Sequence, residues 1–339
     1  MNSVIKPTES NDANQSHNAN QNQDITPTVP RVYKTVGNIT IHREKIGQGG
    51  FGVVRHGTVS VGGNIIPVAV KTERVTRGLR SFTREVKFYT EANNWNEIGF
   101  PKLFGCTMDE KHGIVAIELL GPSLYQLHQN SKNHFTLKTI LLLADQMISL
   151  LEKLHSRSYI HRDLKPENFV MGGEGPNSDL VHLIDFGHCQ KYVEDDGFHK
   201  RHLNIQSISG TALFMSMNAH TGYQQSRKDD MESLFFVIAY LTLGILPWGR
   251  NEYSNQADRT FQIGVEKRQE LEKMLKNLPE AFQKLYYSIC RLGFDETPKY
   301  ENYRKILRGL SAEAHFKYDY KYQWNETFEN DQNNGLVQQ

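Results

Sequence analysis

Apolar and polar positions in the first third of the chain follow the pattern of β-strands. Residues 39–46 alternate, and residues 65–70 and 114–120 form short, mostly apolar runs. Alternation with a period of two places apolar side chains on one face of a sheet, and short apolar runs are typical of buried strands. Gly62 and Gly63 come just before one of these runs, so we predict a hairpin turn there.

Helical spacing replaces this pattern after residue 121. Thr136 is a predicted N-cap for a long helix whose apolar face runs from Leu137 to Leu154, and one earlier segment, residues 79–92, also has helical spacing. Further helices are predicted at about residues 230–245, 265–277 and 280–292. The pattern indicates the α+β class, with a small β-rich part, a larger helical part and a cleft between them.

The longest apolar run, residues 234–248, is shorter than the about 20 residues that a membrane-spanning helix requires. Thr242, Gly244 and Pro247 also interrupt it. We therefore predict a buried helix in this region and no contact between the protein and a membrane.

Composition narrows the classes of function. The 39 Lys and Arg residues nearly balance 38 Asp and Glu residues, for a net charge of +1, which argues against a nucleic-acid partner held by bulk positive charge. Cys106, Cys189 and Cys290 are widely spaced, so we expect no disulfide framework and an intracellular location, cytoplasmic or nuclear. Residues 1–32 resemble no secretion signal and are predicted to be a disordered Asn- and Gln-rich tail, and residues 327–339 a polar tail.

A glycine-rich segment is the first candidate for chemistry. Residues 47–54 read G-Q-G-G-F-G-V-V, and glycines let backbone N–H groups approach phosphate oxygens without interference from Cβ atoms. An ordinary glycine-rich hairpin would have the same composition. The dinucleotide-binding alternative requires glycines that open a helix, whereas the valines here continue a strand.

A lysine at the end of a buried strand is the second candidate. Residues 68–71 read V-A-V-K, so Ala69 and Lys71 share a face, where the small residue leaves space for a flat base and the ammonium can reach phosphates. Glu85 lies in the apolar stripe of the helix at 79–92, where a carboxylate is costly without a partner. We predict a Lys71–Glu85 ion pair, the alternatives being a lysine that reaches water and a solvated helix flank.

The third candidate is the most specific. Residues 161–168 read H-R-D-L-K-P-E-N, and Asp185-Phe186-Gly187 follows another apolar run. Asp163 can accept a hydroxyl proton, Asn168 and Asp185 can hold magnesium, and Lys165 can neutralise a phosphoryl group in transfer.

In this order the segments resemble a eukaryotic protein kinase, over about residues 38–326. The later part is similar to the casein kinase 1 superfamily, which includes the tau-tubulin kinase branch. The similarity lies in E-L-L-G-P-S-L at 118–124, S-M-N at 216–218, Q-S-R-K-D-D-M-E-S-L at 225–234, L-P-W at 246–248, Y-D-Y at 318–320 and W-N at 324–325.

The resemblance implies a bilobal kinase domain at 33–326, with an N-lobe at about 33–119, a C-lobe at about 122–326 and ATP bound in the cleft. Ile117 would be the gatekeeper, residues 118–120 the hinge that binds adenine, and Lys165 a sign of serine/threonine specificity. Asp230 would anchor the loop at 161–168, and Thr211 would lie beside Asp163.

We therefore predict an ATP- and Mg²⁺-dependent protein serine/threonine kinase, monomeric, with protein substrates. The predicted catalytic residues are Asp163, Lys165, Asn168, Lys71 and Glu85, and the predicted metal ligands are Asn168 and Asp185. The predicted nucleotide-binding residues are Ile46, Gly47, Gly49, Gly50, Gly52, Val54, Ala69, Lys71, Glu118, Leu120 and Asp185.

Two departures from the family concern substrate recognition. Leu213 and Glu270 stand where the resemblance leads us to expect basic ligands for a phosphate already on the substrate. Because a carboxylate repels phosphate, we expect phosphate-primed recognition to be weakened. Basic residues at 71–87, and a second set of Lys200, Arg201, Arg227 and Lys228, still favour an acidic substrate.

Two other classes of function remain open. A pseudokinase would use the same fold as a binding or scaffold module, although such proteins commonly lack one of the Lys, Asp or Asn groups that are all present here. A small-molecule phosphotransferase is disfavoured by the segment from Gly210 to Asn218, which matches enzymes that act on proteins.

Overall fold

The computed structural model describes residues 32–49, 52–252 and 255–325, with backbone only at residues 77 and 78. The strands are Val32–Val36 (β1), Ile39–Gln48 (β2), Gly52–Val61 (β3), Asn64–Arg74 (β4), Leu103–Met108 (β5), His112–Glu118 (β6), Tyr159–Ile160 (β7), Phe169–Met171 (β8), Val181–Leu183 (β9) and Gln190–Lys191 (β10). The helices are Val75–Ala92 (α1), Leu124–Asn130 (α2), Leu137–Ser156 (α3), Arg227–Leu243 (α4), Gln256–Lys276 (α5), Glu280–Cys290 (α6) and Tyr300–Glu313 (α7).

The N-terminal lobe is a six-stranded antiparallel sheet in the order β1-β2-β3-β4-β6-β5. Gly62 and Gly63 make the predicted turn between β3 and β4, with φ angles of 57° and 83°. Val68 and Val70 of β4 are buried in an apolar cluster on one face of the sheet. Because side chains alternate along a strand, Ala69 and Lys71 lie on the opposite face.

Helix α1 connects this sheet to the C-terminal lobe. It packs against β4, β6 and the turn at 186–188. Phe88 of α1 stacks on Phe186, with ring centroids 3.6 Å apart and planes at 12°. This contact ties the position of α1 to that of Asp185, the residue before Phe186.

The C-terminal lobe is built around α3 and α4. Thr136 caps α3 as predicted, its side chain accepting a hydrogen bond from Thr139 N. Most side chains of α4 are buried, as predicted for the long apolar run, and the helix ends at Gly244 with φ 76°. Among the helices of the described ranges, none is long and apolar enough to cross a bilayer.

Several elements differ from the sequence predictions. Val32 begins β1, although residue 32 was assigned to a disordered tail, while residues 1–31 and the polar tail at 327–339 lie outside the described residues. Helices α2 and α7 were not predicted. Helix α2 is short and is stabilised by a capping box at Ser123, whereas α7 is mostly polar and buries a single stripe of residues at helical spacing, namely Tyr300, Tyr303, Arg304, Leu307 and Ser311. Helix α5 begins at Gln256 because Asn255 caps a polar first turn.

Candidate active site

The loop at 161–168 lies between the short strands β7 and β8, and a buried carboxylate of α4 holds it. Asp230 accepts hydrogen bonds from the backbone N–H groups of His161 at 2.7 Å and Arg162 at 2.9 Å, as predicted. His155 of α3 lies 3.0 Å from the same carboxylate. Burial opposes ionisation of Asp230, yet these hydrogen bonds hold its pKa below the ordinary value. The carboxylate therefore stays charged and satisfies donors on the loop.

Backbone strain in this loop makes the anchor necessary. Arg162 has a φ of 71°, in the left-handed region that side chains other than glycine rarely adopt. The segment around Gly210 packs closely against this loop, because a Cβ atom at Gly210 would lie 2.7 Å from the carbonyl oxygen of Arg162. The strained conformation points Asp163, the next residue, into the cleft.

Asp163 is the centre of a small polar cluster and is 6% exposed. Its Oδ2 accepts a hydrogen bond from Lys165 Nζ at 3.1 Å, and its Oδ1 accepts one from Thr211 Oγ1 at 2.7 Å. Although burial lowers the pKa of Lys165, the carboxylates of Asp163 and Asp185 raise it above the ordinary value. The structure thus brings a carboxylate, an ammonium and the predicted Thr211 together at one point.

Lys71 lies opposite this cluster, in contact with three carboxylates. Its Nζ atom is 2.8 Å from Glu85, in the predicted ion pair, 2.8 Å from Asp185 and 2.9 Å from Glu73. Burial alone would lower the pKa of Lys71, but Glu85, Asp185 and Glu73 raise it well above the ordinary value. Burial likewise opposes ionisation of Asp185, but Lys71 lowers its pKa. Both groups are therefore charged, and sequence analysis missed the third carboxylate.

The glycine-rich segment forms the tip of the β2–β3 hairpin. Gly47 is paired with Val54 in the ladder, and Gly49 N donates to Gly52 O at 2.9 Å. The chain continues as β3 after this tip, so the glycines do not open a helix. Gly50 lies outside the described residues.

The other predicted nucleotide-binding residues lie on neighbouring strands. Ile46 is on β2, and Ala69 of β4 is paired with Ile117 of β6. Glu118 ends β6, where its N–H donates to Lys102 O at 2.9 Å, and Leu120 lies in the connection to α2. The predicted hinge is therefore the passage between the two lobes.

Asn168 and Asp185 supply oxygen atoms suited to Mg²⁺. The amide of Asn168 donates through Nδ2 to Asp163 O at 2.8 Å, which leaves its Oδ1 as an acceptor. Asp185 offers a carboxylate, and hard oxygen ligands of this kind, completed by phosphate oxygens and water, suit magnesium. No group of three or more His, Cys, Asp or Glu side chains suited to a metal occurs in the described ranges. With Asn168 and Asp185 as protein ligands, the other positions around an octahedral Mg²⁺ would be filled by phosphate oxygens and water.

Two members of the predicted basic set are used inside the fold. Lys228 donates to the carbonyl oxygens of Cys290 at 3.0 Å and Leu292 at 2.8 Å. Arg227 donates to Asp295 O and to Thr297 Oγ1. These N–H groups of Arg227 and Lys228 therefore satisfy acceptors at the end of α6 and in the loop that follows, while the predicted preference for an acidic substrate stays a prediction.

Leu213 and Glu270, the two residues that depart from the family's expected phosphate ligands, make contacts within the C-terminal lobe. Glu270 forms an exposed ion pair with Lys273 at 2.9 Å, and Trp248 donates to Leu213 O at 2.9 Å. Lys267, which sequence analysis missed, is fully buried and donates to the carbonyl oxygens of Met215 at 2.6 Å and Ala212 at 3.4 Å. It thus holds the segment that follows Thr211.

His188 follows Asp185-Phe186-Gly187, and its Nδ1 lies 2.7 Å from Ser209 Oγ. Burial lowers its pKa, so the ring is neutral near pH 7. The contact joins the residue after Asp185-Phe186-Gly187 to the segment that precedes Thr211.

Comparison with known protein families accounts for this arrangement. A family model described as Protein kinase domain matches residues 41–302, well over half of the 339-residue chain. The match covers the glycine hairpin, Lys71, the loop at 161–168 and α4. The chain therefore belongs to the protein kinase family.

Proposed function

We propose that this protein kinase is an active, ATP- and Mg²⁺-dependent serine/threonine kinase of the casein kinase 1 superfamily. The observation that carries the proposal is the contact of Asp163 with both Lys165 and Thr211, opposite a charged Lys71. All the charged groups that phosphoryl transfer needs are present in one cleft.

Each group has a distinct task in this proposal. Asp163 accepts the proton of the acceptor hydroxyl, and Lys165 neutralises charge on the phosphoryl group that is being transferred. Lys71, held by Glu85, binds nucleotide phosphates, while the glycine hairpin covers them with backbone N–H groups. Asn168 and Asp185 would hold Mg²⁺, which neutralises phosphate charge when bound. The role of the protein is therefore mainly positioning and charge neutralisation.

Membership of the casein kinase 1 branch rests on the sequence segments and on one local structure that agrees with them. Ser216, the first residue of the S-M-N segment, is fully buried, donates to Asp229 Oδ1 at 2.6 Å and accepts from Ala219 N at 3.0 Å. A serine in this position therefore ties the end of the activation segment to α4.

Phosphate-primed recognition is weakened in this proposal, and the substrate is an acidic protein without a required phosphate. Leu213 contributes no positive charge, and Glu270 is paired with Lys273. Lys200 and Arg201 remain available to an acidic segment. We further propose that residues 33–326 form the kinase domain and that the enzyme acts as a monomer inside the cell.

The test uses the purified full chain, casein and radiolabelled ATP with Mg²⁺, followed by phosphoamino-acid analysis. Asp163→Asn should abolish labelling of serine and threonine, whereas Asp195→Asn, an exposed matched control, should retain it. Chelation of Mg²⁺ with EDTA should also abolish it. Equal labelling by wild type and Asp163→Asn would support the alternative of a binding module.

A second assay addresses substrate choice. A phosphopeptide and its unphosphorylated parent should be turned over with similar kcat/KM values, because the expected phosphate ligands are replaced. A preference of more than about tenfold for the phosphopeptide, or about 1.4 kcal/mol, would contradict this part of the proposal.

A further inference from the structure

Glu73 is a buried carboxylate in the cleft that has no role in the proposed phosphoryl transfer. It is 2% exposed and lies two residues after Lys71 on β4, so both side chains are on the same face of the sheet. Its Oε1 atom is 2.9 Å from Lys71 Nζ. Among the described residues, none donates a hydrogen bond to either oxygen of Glu73.

A carboxylate in this position is costly unless a charge compensates it. Removal of an ion from water is unfavourable, and fewer hydrogen bonds mean less compensation. The ammonium of Lys71 is the compensating charge for Glu73. An apolar side chain would fill the same volume at lower cost, so the carboxylate points to a role that involves Lys71.

The two glutamates that contact Lys71 are held by different elements. Glu85 belongs to α1, so its distance from Lys71 changes if the helix moves relative to the sheet. Glu73 is on the same strand as Lys71, so the extended backbone keeps the two side chains together wherever α1 lies. The lysine therefore has one partner that depends on α1 and one that does not.

The number of donors on the ammonium shows when the second partner becomes important. Lys71 has three N–H donors, and it donates to Glu85 and to Asp185. Asp185 is also a predicted ligand of Mg²⁺, and a metal bound to this carboxylate would weaken its attraction for Lys71. Glu85 and Glu73 would then be the carboxylates left to hold the ammonium.

We propose that Glu73 is a positioning residue that anchors Lys71 from the strand, so that the lysine stays in the cleft when its contact with Glu85 is lost. The proposal rests on the proposed function, in which Lys71 binds nucleotide phosphates. It predicts that Glu73 and Glu85 compensate for each other.

A double-mutant cycle tests this compensation in the full-length protein. The variants are Glu73→Gln, Glu85→Gln and the double variant, with Glu91→Gln on α1 as a matched control that pairs with Lys191 instead. Each variant is measured for melting temperature without nucleotide, for Kd of ATP in the presence of Mg²⁺ by titration, and for kcat and KM.

Each single variant should weaken ATP binding by no more than about threefold, because the other glutamate still holds Lys71. The double variant should weaken it at least about tenfold more than the product of the single effects. Its melting temperature should fall about 4 °C further than the sum of the single shifts. Single effects that multiply to within twofold in Kd, together with additive melting shifts, would overturn the proposal.

A further variant separates positioning from stability. Glu73→Leu removes a buried carboxylate while Lys71 keeps its contacts with Glu85 and Asp185, so it should leave the melting temperature unchanged or raise it. In the Glu85→Gln background it should nevertheless raise KM for ATP about tenfold. If KM for ATP rises only in variants whose melting temperature also falls, the role of Glu73 is merely structural and the proposal is refuted.

The outcome for the wild-type protein keeps the two proposals distinguishable. A wild-type chain that binds no nucleotide would contradict the proposed function, and the melting-temperature cycle would still test the Glu73 anchor. A wild-type chain that binds ATP, with no coupling between the glutamates, would contradict the anchor alone.

Discussion

Replacement of Asp230 by Asn should both destabilise the protein and slow the enzyme. The carboxylate serves two backbone N–H groups, those of His161 and Arg162, and the side chain of His155. Burial lowers the pKa of His155, so the ring is neutral. It can then accept from the hydroxyl of Tyr300, 2.7 Å away, while Nε2–H donates to Asp230.

The magnitude follows from the count of donors. Asp230 Oδ2 accepts from His161 and His155, and Oδ1 accepts from Arg162. An asparagine oriented to keep the two bonds at Oδ2 turns its NH₂ group towards the N–H of Arg162, so this donor loses its acceptor. A buried donor without a partner costs about 1–3 kcal/mol, so we expect a loss of about 2 kcal/mol. A kinase domain of this size loses about 2–4 °C per kcal/mol, so its melting temperature should fall by about 6 °C.

The assay combines thermal and urea unfolding with steady-state kinetics at a temperature where the variant is folded. We expect kcat to fall more than KM for ATP changes, because the loop that carries Asp163 relaxes while Lys71 is not touched. Asp195→Asn is the exposed control. A stability within about 0.5 kcal/mol of wild type, together with an unchanged kcat, would refute the anchoring role of Asp230.

Three further predictions concern other parts of the molecule. Burial, with the nearby charge of Lys267, lowers the pKa of His220 to about 3. Below about pH 6.5 the unfolded chain therefore binds a proton that the folded protein does not. The free energy of unfolding should fall by on the order of 2 kcal/mol between pH 7.5 and pH 5. Urea unfolding of His220→Gln should show a shallower pH dependence, and an unchanged one would contradict the assignment. Lys267→Met removes the hydrogen bonds to Met215 O and Ala212 O, so KM for a protein substrate should rise about fivefold while KM for ATP stays constant; equal changes in both would argue against a local effect. Gly309 lies in α7 with open space around it, so Gly309→Ala should raise stability by about 1 kcal/mol in thermal unfolding. A lower melting temperature for this variant would contradict the reasoning.

Local patterns in the sequence determined much of this protein. Alternating apolar positions predicted the strands, the glycines at 62 and 63 predicted a hairpin turn, and the long apolar run predicted the buried helix α4. These predictions succeeded because the period of side chains along a strand or a helix is a property of the chain itself. The Lys71–Glu85 pair could also be predicted, because a carboxylate in an apolar stripe requires a partner.

Tertiary structure alone decided which partners the polar groups choose. Asp230 lies 69 residues from His161 in the sequence, and Lys267 lies 52 residues from Met215, yet each pair is joined by a buried hydrogen bond. Arg227 and Lys228 were assigned from the sequence to a basic set that favours an acidic substrate, because a charge pattern does not show which carbonyl groups lie close to each cation in the fold.

Glu73 lies between these two cases. Its position two residues after Lys71 placed it on the cleft face of β4, and the sequence contained that signal. Its burial and its lack of hydrogen-bond donors depend on the packing of α1 against β4 and on the approach of Gly52 to the side chain of Glu73. A strand pattern shows the direction of a side chain, but the chain segments packed around it determine whether it meets water, a cation or neither.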